Sequence, residues 1–130
     1  MFYRYNHDSY GENAGTGNGW TNSFGDKGRL WPILSGERGQ YELANGRPAT
    51  AYLRAMAAAA NDGFLIPEQV WDKADQFGFT FGKGTGSATP LAWSMAQFVG
   101  LAVSIDVGRP VETPKVVSDR NARGAHPPQP

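Results

Sequence analysis

The chain has 130 residues, of which 40% are hydrophobic, and its 12 basic and 12 acidic side chains give no net charge. It is long enough for one domain with a packed core, and the balanced charge argues against nucleic-acid binding. The absence of cysteine excludes disulfides and cysteine-based metal or redox sites. Because no apolar run approaches the roughly 20 residues of a membrane span, we expect a soluble chain without membrane or nucleic-acid partners, either cytoplasmic or secreted.

Two long loops are predicted. The first, residues 1–28, is rich in glycine and shows neither a helical nor a strand period. It concentrates aromatic and charged side chains, so it is either a functional loop or a disordered terminus. The second, residues 64–88, is expected to contain a short extended piece at residues 77–81, where aromatic residues alternate.

Three helices are predicted between and after these loops. Residues 30–44 place apolar side chains mostly on one helical face, whose members are Leu30, Ile33, Leu34, Tyr41 and Ala44. Residues 48–60 begin with proline, are rich in alanine and stop before an Asn-Asp-Gly turn. The third helix is expected to start with Thr89 as N-cap and Pro90 in the first turn, and to end near Asp106. Its apolar stripe consists of Leu91, Met95, Phe98, Ala102 and Ile105.

The end of the chain differs in composition from the rest. Residues 109–130 carry several prolines among scattered charges and have little apolar material to bury. We therefore expect a helical domain over residues 1–108 and a flexible tail over residues 109–130.

Several common chemistries do not fit the motifs. The glycine-rich stretch over residues 78–87 is not a phosphate-binding loop, because a Walker motif ending at Lys83 needs glycine at position 77 and Ser or Thr at position 84, which are Phe77 and Gly84. The two histidines have no zinc-ligand spacing, and no G-x-S-x-G nucleophile elbow occurs. Nucleotide, zinc and serine-hydrolase chemistry are therefore set aside.

Glu68 is the carboxylate with the most informative surroundings, because aromatic residues such as Phe64 and Trp71 lie close to it in the sequence. A carboxylate in partly apolar surroundings can act as a general base. Spacing alone favours the alternative, in which Glu68 is a helix N-terminal charge or a surface acid. Glu37 is a comparable case, and we expect it to form a structural ion pair with Arg38.

Four segments resemble motifs of glycoside hydrolase family 15, the glucoamylases and glucodextranases, in the order in which that family carries them. They are RYNHDSYGE at residues 4–12, RLWPILSGERGQYELA at 29–44, IPEQVWD at 66–72 and TGSATPLAWSMAQFV at 85–99. Several ordered motifs are more specific than any one of them. The resemblance, to the bacterial type, implies an all-α fold: the C-terminal portion of an (α/α) toroid of six helical hairpins, here about three helices with long loops.

At the matching positions, the resemblance assigns the general base to Glu68 and gives Ser87 a hydrogen bond that orients this base. It assigns sugar contacts or pocket walls to six further residues, namely Arg4, Tyr5, Asp8, Tyr10, Trp31 and Trp93. Arg4 would bind sugar hydroxyls, while Asp8 would hold either that arginine or a hydroxyl.

The reaction that the resemblance implies is inverting hydrolysis, which releases glucose from the non-reducing ends of α-glucans without a metal or an organic cofactor. An acid protonates the glycosidic oxygen while the base, about 6.5 to 9.5 Å away, activates water. The general acid of the family lies in the first half of the barrel. We therefore expect this chain to act only together with that N-terminal half, supplied by the same or a separate chain.

Two other hypotheses stay open. In one, the chain is a non-catalytic helical module that binds a glycan or a partner subunit through the same aromatic residues. In the other, Glu37 and Glu68 form a complete acid and base pair within this chain.

Overall fold

The computed structural model describes residues 1–19 and 28–122. Its four helices are α1 (Pro32–Ala44), α2 (Thr50–Ala59), α3 (Ala92–Val107) and α4 (Lys115–Ala122). The first three are the predicted helices, whereas α4 lies inside the segment predicted to be a flexible tail. In the described part of the chain, residues pair as isolated bridges and form no extended strands. The predicted all-α class is thus confirmed.

The start of α3 differs from the prediction. Thr89 is not the N-cap, because the helix begins at Ala92 and the capping position is Leu91, whose backbone is extended. The reason is a tertiary hydrogen bond, in which the Leu91 amide donates to the Ile66 carbonyl at 3.0 Å. The end of the helix agrees with the prediction, because Gly108 follows it with a left-handed φ of 77° that stops the helix.

The buried face of α1 is not the predicted apolar one. Ser35, Gly36, Gly39 and Glu42 are among its buried residues, whereas Tyr41 is 55% exposed. The glycines let α3 approach closely: a Cβ at Gly39 would lie 2.7 and 2.8 Å from the two methyl groups of Leu101. The face was mispredicted because close helix contact selects small residues over large apolar ones.

The core of the domain lies between α1, α2 and α3. Its fully buried apolar members are Ala49, Met56, Ile66 and Leu101. The predicted stripe of α3 contributes at its margins, since Met95, Phe98 and Ile105 pack against this core while only partly buried. None of the helices in the described ranges is long and apolar enough to cross a membrane.

The predicted ion pair between Glu37 and Arg38 is wrong. Arg38 instead pairs with Glu42 through its Nε atom at 2.5 Å, and Arg47 pairs with the other oxygen of the same carboxylate. Consecutive residues on a helix point in different directions, whereas residues four apart are neighbours. Glu37 is left on the exposed face of α1.

The loops are joined by single antiparallel bridges. Leu30 bridges Val70, and Val70 also bridges Gly84. The segment 66–72 therefore lies between Leu30 and the glycine-rich loop. The extended piece predicted for residues 77–81 is wrong. Residues 76–79 form a tight turn, closed by hydrogen bonds between Gln76 and Phe79 at 2.9 and 3.1 Å.

Candidate active site

Glu68 lies in a segment that is attached to the beginning of α3. Its amide donates to the Ala88 carbonyl at 2.8 Å, and the buried Ser94 hydroxyl donates to the Pro67 carbonyl at 3.3 Å. Pro67 and Gln69 are buried on either side, but Glu68 itself is only half-buried. The backbone is therefore held while the carboxylate stays accessible.

Tyr10 is the side chain that contacts the Glu68 carboxylate. Its hydroxyl donates to both oxygens over long distances of 3.4 and 3.5 Å. Burial and the neighbouring charge of Glu68 raise the pKa of the Tyr10 phenol, so the group stays a proton donor at neutral pH. The Tyr10 ring packs against Trp31 with centroids 5.8 Å apart. Two residues predicted to line the pocket thus lie together, one of them beside the predicted base.

Arg4 completes this cluster. Its guanidinium makes a two-bonded contact with Asp8 at 3.0 and 2.6 Å, and the Asp8 side chain is only 3% exposed. The hydrogen bond with Asp8 raises the Arg4 pKa. The same guanidinium lies 4.8 Å from the Tyr10 ring centre and 4.7 Å from that of Trp31. Asp8 thus holds the arginine, which is one of the two roles predicted for it.

The predicted hydrogen bond from Ser87 to Glu68 does not occur among the described contacts. The Ser87 hydroxyl oxygen accepts from the Gln69 amide at 3.1 Å and from the Thr85 hydroxyl at 3.2 Å. The physical reason is that Ser87 lies beside the Gln69 backbone, whose amide needs an acceptor. Any orientation of Glu68 by Ser87 is therefore indirect.

Two of the predicted sugar-contacting residues are open to solvent. Trp93 is 71% exposed in the first turn of α3, and Tyr5 is 65% exposed. The Tyr5 ring lies 5.2 Å from the Arg4 guanidinium, so it borders the cluster. Trp93 precedes Ser94, the α3 residue whose hydroxyl donates to the Pro67 carbonyl, so it lies close to the base segment in the chain. Their sugar-binding roles stay predictions.

Sequence reasoning missed a buried polar layer behind Glu68. The Gln69 side chain is fully buried, and its amide nitrogen donates to the Tyr10 carbonyl at 3.1 Å. Asp72 binds Arg29, the Tyr3 hydroxyl and Lys73. Burial favours the neutral form of Asp72, but hydrogen bonds from Tyr3 and Lys73 and the charge of Arg29 outweigh it and lower its pKa. Gln69 and Asp72 belong to the motif IPEQVWD, so this motif was the sequence signal that could have identified them.

The surface near the base segment contains a depression. A depression of about 400 Å³ lies next to the base segment, lined by Leu65, Pro67, Lys83 and Thr85 among others. Glu68, Tyr10 and Arg4 do not line it. Within the described residues, no group of three or more His, Cys, Asp or Glu side chains is arranged to hold a metal ion. The Arg4, Tyr10, Trp31 and Glu68 cluster therefore lies outside this depression.

The sequence of the chain closely matches that of a known enzyme. Over 123 residues it is 45% identical to a glucoamylase from Clostridium sp. (strain G0005), and the match covers 92% of this chain. The chain is homologous to part of a glucoamylase. No protein-family model matches this chain. The resemblance stated from the four motifs is thereby confirmed.

Comparison of structures agrees with this relationship. The chain superimposes on the crystal structure of a bacterial glucoamylase complexed with acarbose, with a TM-score of 0.77 and 43% identity over 92% of its length. Its helices thus match the (α/α) toroid fold. The chain spans 16% of the length of each of these two proteins.

Proposed function

We propose that this chain supplies the general base and part of the sugar-binding wall of an inverting, exo-acting glycoside hydrolase that releases glucose from the non-reducing ends of α-glucans. The observation that carries the proposal is the cluster in which Glu68 lies beside Tyr10, with Arg4 and Trp31 next to it. The relationship to a glucoamylase supplies the reaction class.

Glu68 is suited to accept a proton. It is half-buried, and its side-chain hydrogen bonds within the described residues are the two long contacts with the Tyr10 hydroxyl, so lone pairs stay available for a water molecule. In the proposed step, water attacks the anomeric carbon while its proton passes to Glu68. The bond from that carbon to the glycosidic oxygen breaks, and an acid on the other side gives this oxygen a proton.

Among the described residues, no carboxylate close to this site is placed to act as the acid. Asp8 is bound to Arg4, while Glu12 and Asp72 are buried and hydrogen-bonded. Glu37 lies on the exposed face of α1, about 160° around the helix from Gly39, which faces α3. The proposal therefore places the acid in the remainder of the catalytic domain.

The sugar would bind against the wall formed by Arg4, Tyr10 and Trp31. Asp8 uses two of the five donors of the Arg4 guanidinium, which leaves others for sugar hydroxyls. The Trp31 indole N–H is buried and has no acceptor among the described residues. An acceptor from outside the described residues is needed, because buried donors without one are costly.

The partner we propose is the rest of a glucoamylase-type domain, in the same or a separate chain. On α3, Val99, Val103 and Val107 follow one another at helical spacing and are each at least 45% exposed. Exposed apolar residues that form a continuous patch are typical of a surface that packs against another element. Further helices would cover this face.

The alternative function is a non-catalytic glycan-binding module. It is favoured by one observation: the cluster of Arg4, Asp8, Tyr10 and Trp31 is assembled within this chain, while none of the described residues provides an acid beside Glu68. It predicts binding of malto-oligosaccharides to the isolated chain, measured by quenching of tryptophan fluorescence, and no hydrolysis in any assembly.

The deciding experiment is a replacement. The homologous stretch of the Clostridium glucoamylase is exchanged for this chain, and glucose release from malto-oligosaccharides is measured together with the anomeric form of the product. We expect β-glucose, and a loss of about 10² to 10⁴ in kcat for Glu68→Gln. Glu37→Gln, which removes an exposed carboxylate, should have no effect. Full activity of the Glu68→Gln hybrid would refute the proposal.

A further inference from the structure

Glu12 is a buried carboxylate that the proposed mechanism does not use. The residue is only 4% exposed. One carboxylate oxygen accepts a hydrogen bond from the Gly86 amide at 2.7 Å, and the other is buried without a partner among the described residues. Burying a carboxylate is costly, so a role is expected for a residue kept in this position.

The chain leading to Glu12 is pressed against the residue that follows the base. The Tyr10 carbonyl accepts from the Gln69 side chain at 3.1 Å. A Cβ at Gly11 would lie 2.3 Å from the Gln69 side-chain oxygen, so no larger residue fits there. Residues 10–12 are therefore fixed against Gln69, and Tyr10 places its hydroxyl beside the Glu68 carboxylate.

Gly86 belongs to the loop that holds the base segment from the opposite side. The Thr85 amide donates to the Gln69 carbonyl at 3.2 Å, and the Ser87 oxygen accepts from the Gln69 amide. In the same loop, the Ala88 carbonyl accepts from the backbone amide of Glu68 itself. A Cβ at Gly86 would lie 2.9 Å from the Glu12 oxygen, so a larger residue there would displace the carboxylate.

We propose that Glu12 is a positioning residue for Glu68, because its carboxylate joins the loop at residues 84–88 to the loop that carries Tyr10. The two loops hold Glu68 from opposite sides, and Glu12 fixes the distance between them. A charge-assisted hydrogen bond to a backbone amide is short and directional, which suits this task. The inference rests on the proposed role of Glu68 as the general base.

The first test uses the hybrid enzyme with three variants. Glu12→Ala removes the acceptor, Glu12→Gln keeps an oxygen in nearly the same place, and Glu37→Ala removes an exposed carboxylate as the matched control. We expect Glu12→Ala to lower kcat about tenfold to 100-fold, as small misplacements of reacting groups do, with KM changed by less than about threefold. Glu12→Gln should restore most of the activity, and Glu37→Ala should leave it unchanged.

The pH profile separates positioning from loss of folded protein. A misplaced base should shift the acid limb of the kcat profile, which reports the pKa of the base in the bound complex. A purely structural defect would lower the amount of active enzyme and leave that limb where it is. An unchanged kcat and acid limb for Glu12→Ala in an active hybrid would overturn the inference.

The second test does not depend on catalysis. In the 130-residue chain, the backbone amide signals of Gly86, Ser87 and Gln69 are followed by NMR. We expect them to shift in Glu12→Ala, to remain close to their original positions in Glu12→Gln and to be unaffected by Glu37→Ala. Unmoved signals in Glu12→Ala would refute the contact. An inactive unmodified hybrid would instead refute the proposed function, and the positioning role with it.

Discussion

The buried pair of Arg29 and Asp72 anchors the segment that carries Glu68, and its removal is the most direct test of how that segment is held. The two side chains are only 1% and 5% exposed, and the guanidinium bonds one carboxylate oxygen. The other oxygen binds the Tyr3 hydroxyl and, at 3.1 Å, the Lys73 amine. Arg29→Met keeps most of the side-chain volume and removes the charge.

The expected cost follows from the burial of the pair. Removing one partner of a buried ion pair typically destabilises a protein by about 3 to 5 kcal/mol, because the other charge stays buried. The Tyr3 and Lys73 contacts remain, so we expect a value near the lower end, about 3 kcal/mol. The exposed pair of Arg38 and Glu42 gives the contrast. Because the Arg38 side chain is 48% exposed, Arg38→Met should cost no more than about 1 kcal/mol.

The measurement is urea unfolding followed by circular dichroism, at constant m-value. A third variant, Arg29→Met combined with Asp72→Leu, removes both charges and should be more stable than Arg29→Met alone. The reasoning is refuted if Arg29→Met is no more destabilising than Arg38→Met, or if removing the second charge restores nothing.

Three further outcomes are expected. Gly39→Ala should destabilise the chain, because overpacking costs about 1 to 3 kcal/mol and the gain in helix propensity is only about 1 kcal/mol. In Gly100→Ala the nearest atom to the new Cβ is 3.4 Å away, so the gain in helix propensity should exceed the cost. Urea unfolding of the two variants measures the difference. Since the pKa of Asp72 is lowered in the folded chain, its ionised form contributes stability above about pH 4. That contribution is lost as pH falls through the folded pKa, so Asp72→Asn should have a flatter acid stability profile. Val103→Cys and Val116→Cys should react equally with maleimide in the isolated chain, but only Val103→Cys should be protected in the hybrid. Equal reactivity of the two variants in the hybrid would contradict the docking of α3.

The helices and the motifs were readable in the sequence because their signals are local. The proline and the alanines of residues 48–60, and the glycine that ends α3, each act over a few neighbouring residues. The same holds for the motif around Glu68, since consecutive residues carry it. The grouping of Arg4, Tyr10 and Trp31 also followed from the motifs, although no spacing rule places them together.

The errors arose where a distant part of the chain decides the local structure. Leu91, and not Thr89, caps α3 because its amide is bonded to Ile66. Ser87 bonds the Gln69 amide and not the Glu68 carboxylate because two loops meet there. In α1 the spacing of large apolar residues predicted the helix, but not its buried face, because the helix packs through its glycines.

What the sequence by itself determined is therefore the helical class, the helix positions and the relationship to glucoamylases, because propensity and motif identity are properties of short stretches. Only the tertiary structure decided which face of each helix is buried and which polar groups meet. Glu12 and Gly86 are 74 residues apart in the chain, and no local pattern records that the carboxylate of one satisfies the amide of the other. Such contacts are selected by the need of buried polar groups for partners, which arises only once the chain is folded.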